Sequence, residues 1–165
     1  MPLLGAHMSI AGGLHLAFTR IRKVKGEALQ IFLSNQRQWK TPPLTSEMIE
    51  NFRQQWEKSQ PMVVAAHDSY LINLSAPDRK TVERSVTAFA DELVRAAALE
   101  IPFIITHPGS HRGQGVEAGL ERFVNNLDSA TSLSRTSNVS ILIETTAGQG
   151  TNLGFRFEEI SFILR

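Results

Sequence analysis

An α/β fold on a parallel sheet is predicted by three features of this sequence. Five short apolar runs are spread along the 165 residues, and each is followed by a longer stretch with helical periodicity. Four of the five runs end in His or Glu rather than in a turn residue. Parallel βα proteins place their working groups at the carboxyl ends of their strands, so these endings suit the same fold. The alternation further predicts strands covered on both faces by helices.

The elements follow in order. The first run is LLGAH, Leu3 to His7; a turn at Gly12 and Gly13 leads to a helical stretch reaching about Val24. The second is ALQIFL, Ala28 to Leu33, followed by the polar loop SNQRQWKTPP. Thr45 is placed to cap a helix in which Met48, Ile49, Phe52 and Trp56 share one face. The third run is MVVAAH, Met62 to His67. Beyond it, SAPD (Ser75 to Asp78) reads as a capping box with Pro77 in the first turn. The helix behind it carries the clearest stripe in the chain: Val82, Val86, Phe89, Ala90, Leu93, Val94 and Ala97. The fourth run is IPFIITH, Ile101 to His107, with Pro102 at its start, where a missing N–H is tolerated. After the loop PGSHRGQG, the residues Val116, Leu120, Phe123, Val124 and Leu127 mark the next helix. The fifth run is VSILIE, Val139 to Glu144; after TTAGQGTN a last helix is predicted from near Phe155. The repeat spacing is too irregular for a solenoid. An open doubly wound sheet and part of a closed barrel both fit, and the dinucleotide and P-loop fingerprints are missing.

Composition narrows the class. The chain is 42% hydrophobic and 20% charged, ordinary for a globular protein with one core. Its net charge of +1 provides no global attraction to nucleic acid, so any such binding must come from a local patch. With no cysteine, disulfides and thiolate metal sites are excluded. No signal peptide and no membrane span are expected, and the chain is read as soluble and cytoplasmic.

His67, His107 and Glu144 end three consecutive predicted strands, close enough for one ion. Two His and one Glu form a known catalytic zinc set with a position left open. Each ending alone is more often a hydrogen-bonded structural residue; their clustering makes them a candidate metal site. His7 ends the first strand. His15 is expected on a helix as a surface or packing residue, and His111 stays open between packing and contact with a substrate phosphate. Two loops carry a second signal. NQRQW, Asn35 to Trp39, groups amides, a guanidinium and an indole, and SYLINL puts Tyr70 and Leu71 after the third strand. Arg with amides suits phosphate and base edges, and apolar side chains can wedge into a base stack. On the residues alone, Trp39 and Leu71 as a cover over the sheet end is the better reading.

The stretches GAHMSIAGG, NQRQW, HDSYLINL, HPGSH and IETTAGQGTNLG occur here in the order and spacing of endonuclease IV. That family comprises zinc-dependent apurinic/apyrimidinic DNA repair endonucleases, and the resemblance runs from Leu3 to about Phe157. It implies a TIM-type (β/α) barrel of the xylose isomerase-like kind. It also implies three zinc ions and hydrolysis of the phosphodiester 5′ to an abasic site in double-stranded DNA, by zinc-assisted attack of hydroxide that leaves a 3′-OH. His67 and His107 look like ligands of one zinc, and Glu144 like the catalytic carboxylate bridging it to a second. Arg37, Tyr70 and Leu71 match residues the family inserts into the DNA at the lesion, with Gln36 beside them, and the abasic nucleotide is then flipped into the metal pocket.

The resemblance also sets an expectation about completeness. A (β/α)8 barrel takes about 250 residues, and this chain supplies about five of eight βα units as residues 1–165 of a single domain, with strands six to eight absent. Ligands for about one zinc, plus the bridging Glu144, are present. The chain alone is therefore expected to be inactive and to hold zinc weakly. The complete family enzyme is expected to be monomeric, while open barrel edges give the shorter chain a route to self-association. A non-catalytic DNA-binding fragment is one alternative. A metal-dependent sugar isomerase or epimerase on the same barrel is another, which the two loops disfavour because a small polyol needs no wedge.

Overall fold

The computed structural model describes residues 2–165. Five βα units follow one another: β1 (Gly5–His7), α1 (Leu16–Lys23), β2 (Ala28–Phe32), α2 (Ser46–Glu57), β3 (Val63–His67), α3 (Arg79–Ala98), β4 (Phe103–Thr106), α4 (Val116–Ser134), β5 (Ser140–Ile143) and α5 (Phe157–Ile163). The strands form one sheet in the order β1-β2-β3-β4-β5, every neighbouring pair parallel.

That order corrects the prediction of two covered faces. Successive parallel strands that always step the same way, joined by right-handed crossovers, put all their helices on one face. A doubly wound sheet needs a reversal of order, and none occurs here. Burial agrees. Leu29 and Ile31 of β2, Val64 and Ala66 of β3 and Ile104 of β4 are buried with Phe18, Phe52, Phe89, Leu93 and Phe123 of the helices. Residues of the other parity line up across the sheet as Ala28 with Val63, Gln30 with Ala65, and Ile105 with Leu142. That inner face is open: Val63 is 43% and Leu142 42% exposed. A single-wound parallel sheet with one face free is the wall of a barrel.

Local signals explain most boundaries. The Thr45 hydroxyl accepts from the Met48 N–H at 3.2 Å and starts α2 as predicted. The capping box at Ser75 does not form. Asp78 is the N-cap of α3, its carboxylate accepting from the Thr81 N–H at 2.9 Å. Ser75 is buried and instead donates its hydroxyl to the Pro108 carbonyl, tying the turn before α3 to the loop after β4. The predicted stripe of α3 is right at Phe89, Ala90 and Leu93 but leaves Val94 45% exposed, while Glu92 and Arg95 are buried on the same helix. The last helix begins at Phe157, two residues after the predicted start.

Candidate metal centre and the loops around it

The three strand-end groups converge. Phe32 pairs with His67 in the β2–β3 register, and Thr106 with Ile143 in β4–β5, so His107 and Glu144 each follow directly on a strand end. The Glu144 N–H donates to the Thr106 carbonyl at 2.9 Å, which holds Glu144 at the level of His107. One ligand atom from each of His67, His107 and Glu144 lies within 4.8 Å of the others.

Tautomers follow from the neighbours. His67 is 5% exposed, and its Nδ1 lies 2.8 Å from the carbonyl oxygen of Asp68. His107 Nδ1 lies 3.3 Å from the carbonyl oxygen of Glu144. A carbonyl only accepts, so Nδ1 is the donor in each of these pairs and Nε2 is the ring atom turned toward the other two groups. Metal-bound imidazoles are held in this way by backbone or carboxylate partners. His67 Nε2 and Glu144 Oε2 are 3.4 Å apart. Tetrahedral zinc with bonds of about 2.0–2.1 Å separates its ligand atoms by roughly 3.3–3.4 Å, so this pair fits a divalent ion as it stands.

Behind His67 lies a polar layer that sequence reading did not anticipate. Asp68 is buried, accepts from the Thr106 hydroxyl at 2.7 Å, and has a carboxylate oxygen 3.4 Å from His67 Nδ1. Burial pushes its pKa up to about 8; the Thr106 hydrogen bond opposes this and the Glu144 charge adds to it. Glu92, 3% exposed, faces Ser34, whose hydroxyl lies 3.4 Å from its carboxylate. Burial, and next the charge of Asp68, raise the Glu92 pKa well above the usual range. His7 stays outside the three-residue group. Its Nδ1 is 3.0 Å from Gln30 Oε1, its ring is 4.2 Å from Phe32 and 6.4 Å from His67, and burial lowers its pKa.

The two candidate DNA loops sit beside this centre and are joined to each other. Gln36 accepts from the Tyr70 N–H at 3.0 Å. Tyr70 is 72% exposed, with its ring 5.1 Å from Phe32 and 5.9 Å from His67. Arg37 is exposed at the loop tip, and its N–H donates to the Asn35 side chain at 3.0 Å. Leu71 is half-buried and Trp39 lies against α3, under Arg84 at 5.8 Å, so a covering role describes Trp39 well. The anchor of this loop is Arg95, 6% exposed. It donates from Nε and Nη2 to the Leu33 carbonyl at 3.3 and 3.1 Å, and from Nη1 to the Pro42 carbonyl at 2.9 Å. One guanidinium thus fixes both ends of the segment that carries Gln36 and Arg37. Asn73 does the same across the loops after β3 and β4. It donates to the Ser110 carbonyl at 3.0 Å and accepts from the N–H groups of Ser110 and Ser75.

The remaining histidines lie at the starts of helices. His111 Nδ1 accepts from the N–H of Gly115, the N-cap residue of α4, at 3.1 Å. His15 is half-buried at the start of α1, beside Gly13.

Comparison with known proteins fits this architecture. A family model described as xylose isomerase-like TIM barrel matches residues 18–165. The probable endonuclease 4 of Chloroflexus aurantiacus is 47% identical over 161 residues, covering 98% of this chain and 56% of that protein. The probable endonuclease 4 of Chlorobium phaeobacteroides is 44% identical, covering all of this chain and 58% of its own length. The chain therefore spans a little over half the length of these curated relatives. The crystal structure of endonuclease IV from Thermus thermophilus superposes with a TM-score of 0.88 at 34% identity, covering 99% of this chain and 59% of that one. A D-tagatose 3-epimerase-like protein superposes at 0.72 with 15% identity, a likeness of fold alone.

Proposed function

The chain belongs to the xylose isomerase-like TIM barrel family, on its endonuclease IV side, and from that membership we propose that it is the N-terminal part of an abasic-site DNA repair endonuclease. The observation that carries this reading is the convergence of His67, His107 and Glu144, with each imidazole Nδ1 beside a backbone carbonyl, next to Tyr70, whose backbone N–H is bound by Gln36. His67, His107 and Glu144 would hold a divalent ion, zinc in this reading. When bound, such an ion supplies Lewis-acid activation of water and charge neutralisation at the phosphodiester.

The chain's own residues do the rest. Asp68 and Thr106 hold the His67 ring from behind. Tyr70, exposed but braced on Phe32, can enter a gap in the base stack, and Leu71 lies next to it along the chain. Arg37, exposed on the same loop, is placed to meet a phosphate, while Gln36 keeps its loop in register with the Tyr70 backbone. The substrate is double-stranded DNA with an abasic nucleotide, incised on the 5′ side to leave a 3′-OH. The same reading places the chain in the cytoplasm with its substrate; among the described residues no helix is long and apolar enough to cross a membrane.

Three ligands make one metal position and part of a second. We therefore assign DNA binding to this chain alone, and incision to the chain completed by further strands. The test joins residues 1–165 to the remaining part of the Chloroflexus aurantiacus relative. The joined protein is expected to incise an abasic duplex on the 5′ side, with a loss of about a hundredfold or more on His107→Ala, since loss of a mere supporting partner of a ligand already costs about 10–100-fold. The chain alone is expected to bind the duplex without cutting it. Failure of the joined, folded protein to cut would count against the assignment, as would robust single-turnover cleavage by the chain alone.

A further inference from the structure

We propose that Arg112 forms a backbone-phosphate subsite beside the metal pocket, and that Asp78 holds its guanidinium until a nucleic-acid strand displaces it. The inference rests on the DNA-repair reading above and assigns a contact outside the Gln36–Arg37 and Tyr70–Leu71 loops.

A groove of about 500 Å³ runs between the loops that follow β3, β4 and β5. His107 lies in its wall, so the groove is continuous with the candidate metal position; Tyr70 and Leu71 line one side, and Ser110, Arg112 and Asn152 another. Arg112 is the cation in this lining. A guanidinium has five N–H donors, and among the described residues its side-chain contact is one bond from Nη1 to Asp78 Oδ2 at 3.3 Å. Both side chains of that pair are about half exposed, at 54% and 49%, and such a pair adds little to stability. A phosphodiester offers the same guanidinium two acceptors in fork geometry, the stronger arrangement.

The backbone beneath Arg112 is fixed. Asn73 holds Ser110 by two hydrogen bonds, the His111 N–H donates to the Thr151 carbonyl at 3.1 Å, and His111 accepts from Gly115. Arg112 itself has φ 47°. Among the described residues, the other non-glycine residues with positive φ are Lys25, Glu100 and Arg135, and each closes a helix. Arg112 is the one that sits in a loop, in a backbone region that an L side chain enters at a cost. The carboxylate that holds it has another duty. Asp78 caps α3 through Thr81, the first cause of its lowered pKa, with Arg112 a lesser one. Releasing Arg112 therefore leaves the helix start intact.

The test is a double-mutant cycle on the full chain, reading affinity for an abasic duplex across a salt series, with melting curves to confirm folding. R112A is expected to weaken binding about three- to tenfold and to reduce the slope of log K against log salt by about 0.9, the signature of one lost phosphate contact. R112K should keep the slope and recover part of the affinity. D78N, in which Asn still caps the helix, is expected to strengthen binding about two- to threefold, and to do nothing when Arg112 is already Ala. Unchanged affinity and slope in R112A would overturn the subsite. A D78N gain that persists in the R112A background would overturn the latch. Absence of duplex binding by the wild-type chain would overturn both this inference and the DNA reading, whereas binding that ignores Arg112 leaves that reading standing.

Discussion

His67 and His107 share one geometry: each Nδ1 lies beside a carbonyl, that of Asp68 for one and of Glu144 for the other. These residues were legible in the sequence, since each ends an apolar run that had to be a strand. Asp68, Glu92, Arg95 and Asn73 were not legible. Buried polar residues have the composition of a surface and the periodicity of a core, so hydropathy assigns them to solvent. Glu92 shows the consequence. Its pKa in the folded chain is raised well above the usual 4.5, so the folded state keeps a proton that the unfolded state gives up. Stability therefore falls as pH rises from about 4.5 toward the raised value. Glu92→Gln keeps an acceptor for Ser34 and removes that loss. The variant is expected to melt several degrees higher than wild type near pH 8 and nearly the same at pH 4, a shift read by thermal melting across pH. An equal shift at both pH values would show that its charge state plays no part.

At the scale of elements, the loop from Ser34 to Leu44 has no regular structure of its own and depends on Arg95 of α3. Arg95→Met is expected to cost about 2–4 kcal/mol, because two carbonyls lose a charged donor inside the protein. It should also open the loop to limited proteolysis between Asn35 and Lys40 while metal affinity stays unchanged. Thr45→Ala, which removes the α2 cap, should cost about 1 kcal/mol in urea unfolding. The capping box at Ser75 failed as a prediction because the tertiary fold gave that hydroxyl a better partner, the Pro108 carbonyl. Sequence spacing identified a cap near this point, and only the packing of the loop after β4 decided between Ser75 and Asp78.

At the scale of the whole molecule, the alternation of runs and stripes made the parallel sheet legible, but not which faces the helices would cover. That depended on strand order, which no single strand encodes. The observed order leaves an inner face with Val63 and Leu142 exposed, and β1 and β5 as open edges. Sedimentation of the chain at rising concentration is expected to show association that Leu142→Asp weakens.

The proposed metal centre requires that three strand ends, at His67, His107 and Glu144, make one ion position. A calorimetric zinc titration of the wild-type chain, His67→Ala and His107→Ala addresses it directly. The expected result is a single weakly held ion per chain, lost in both variants, because removing either imidazole leaves too few ligands. Binding that is equal in all three proteins, or tight binding of three ions by the wild-type chain, would contradict it.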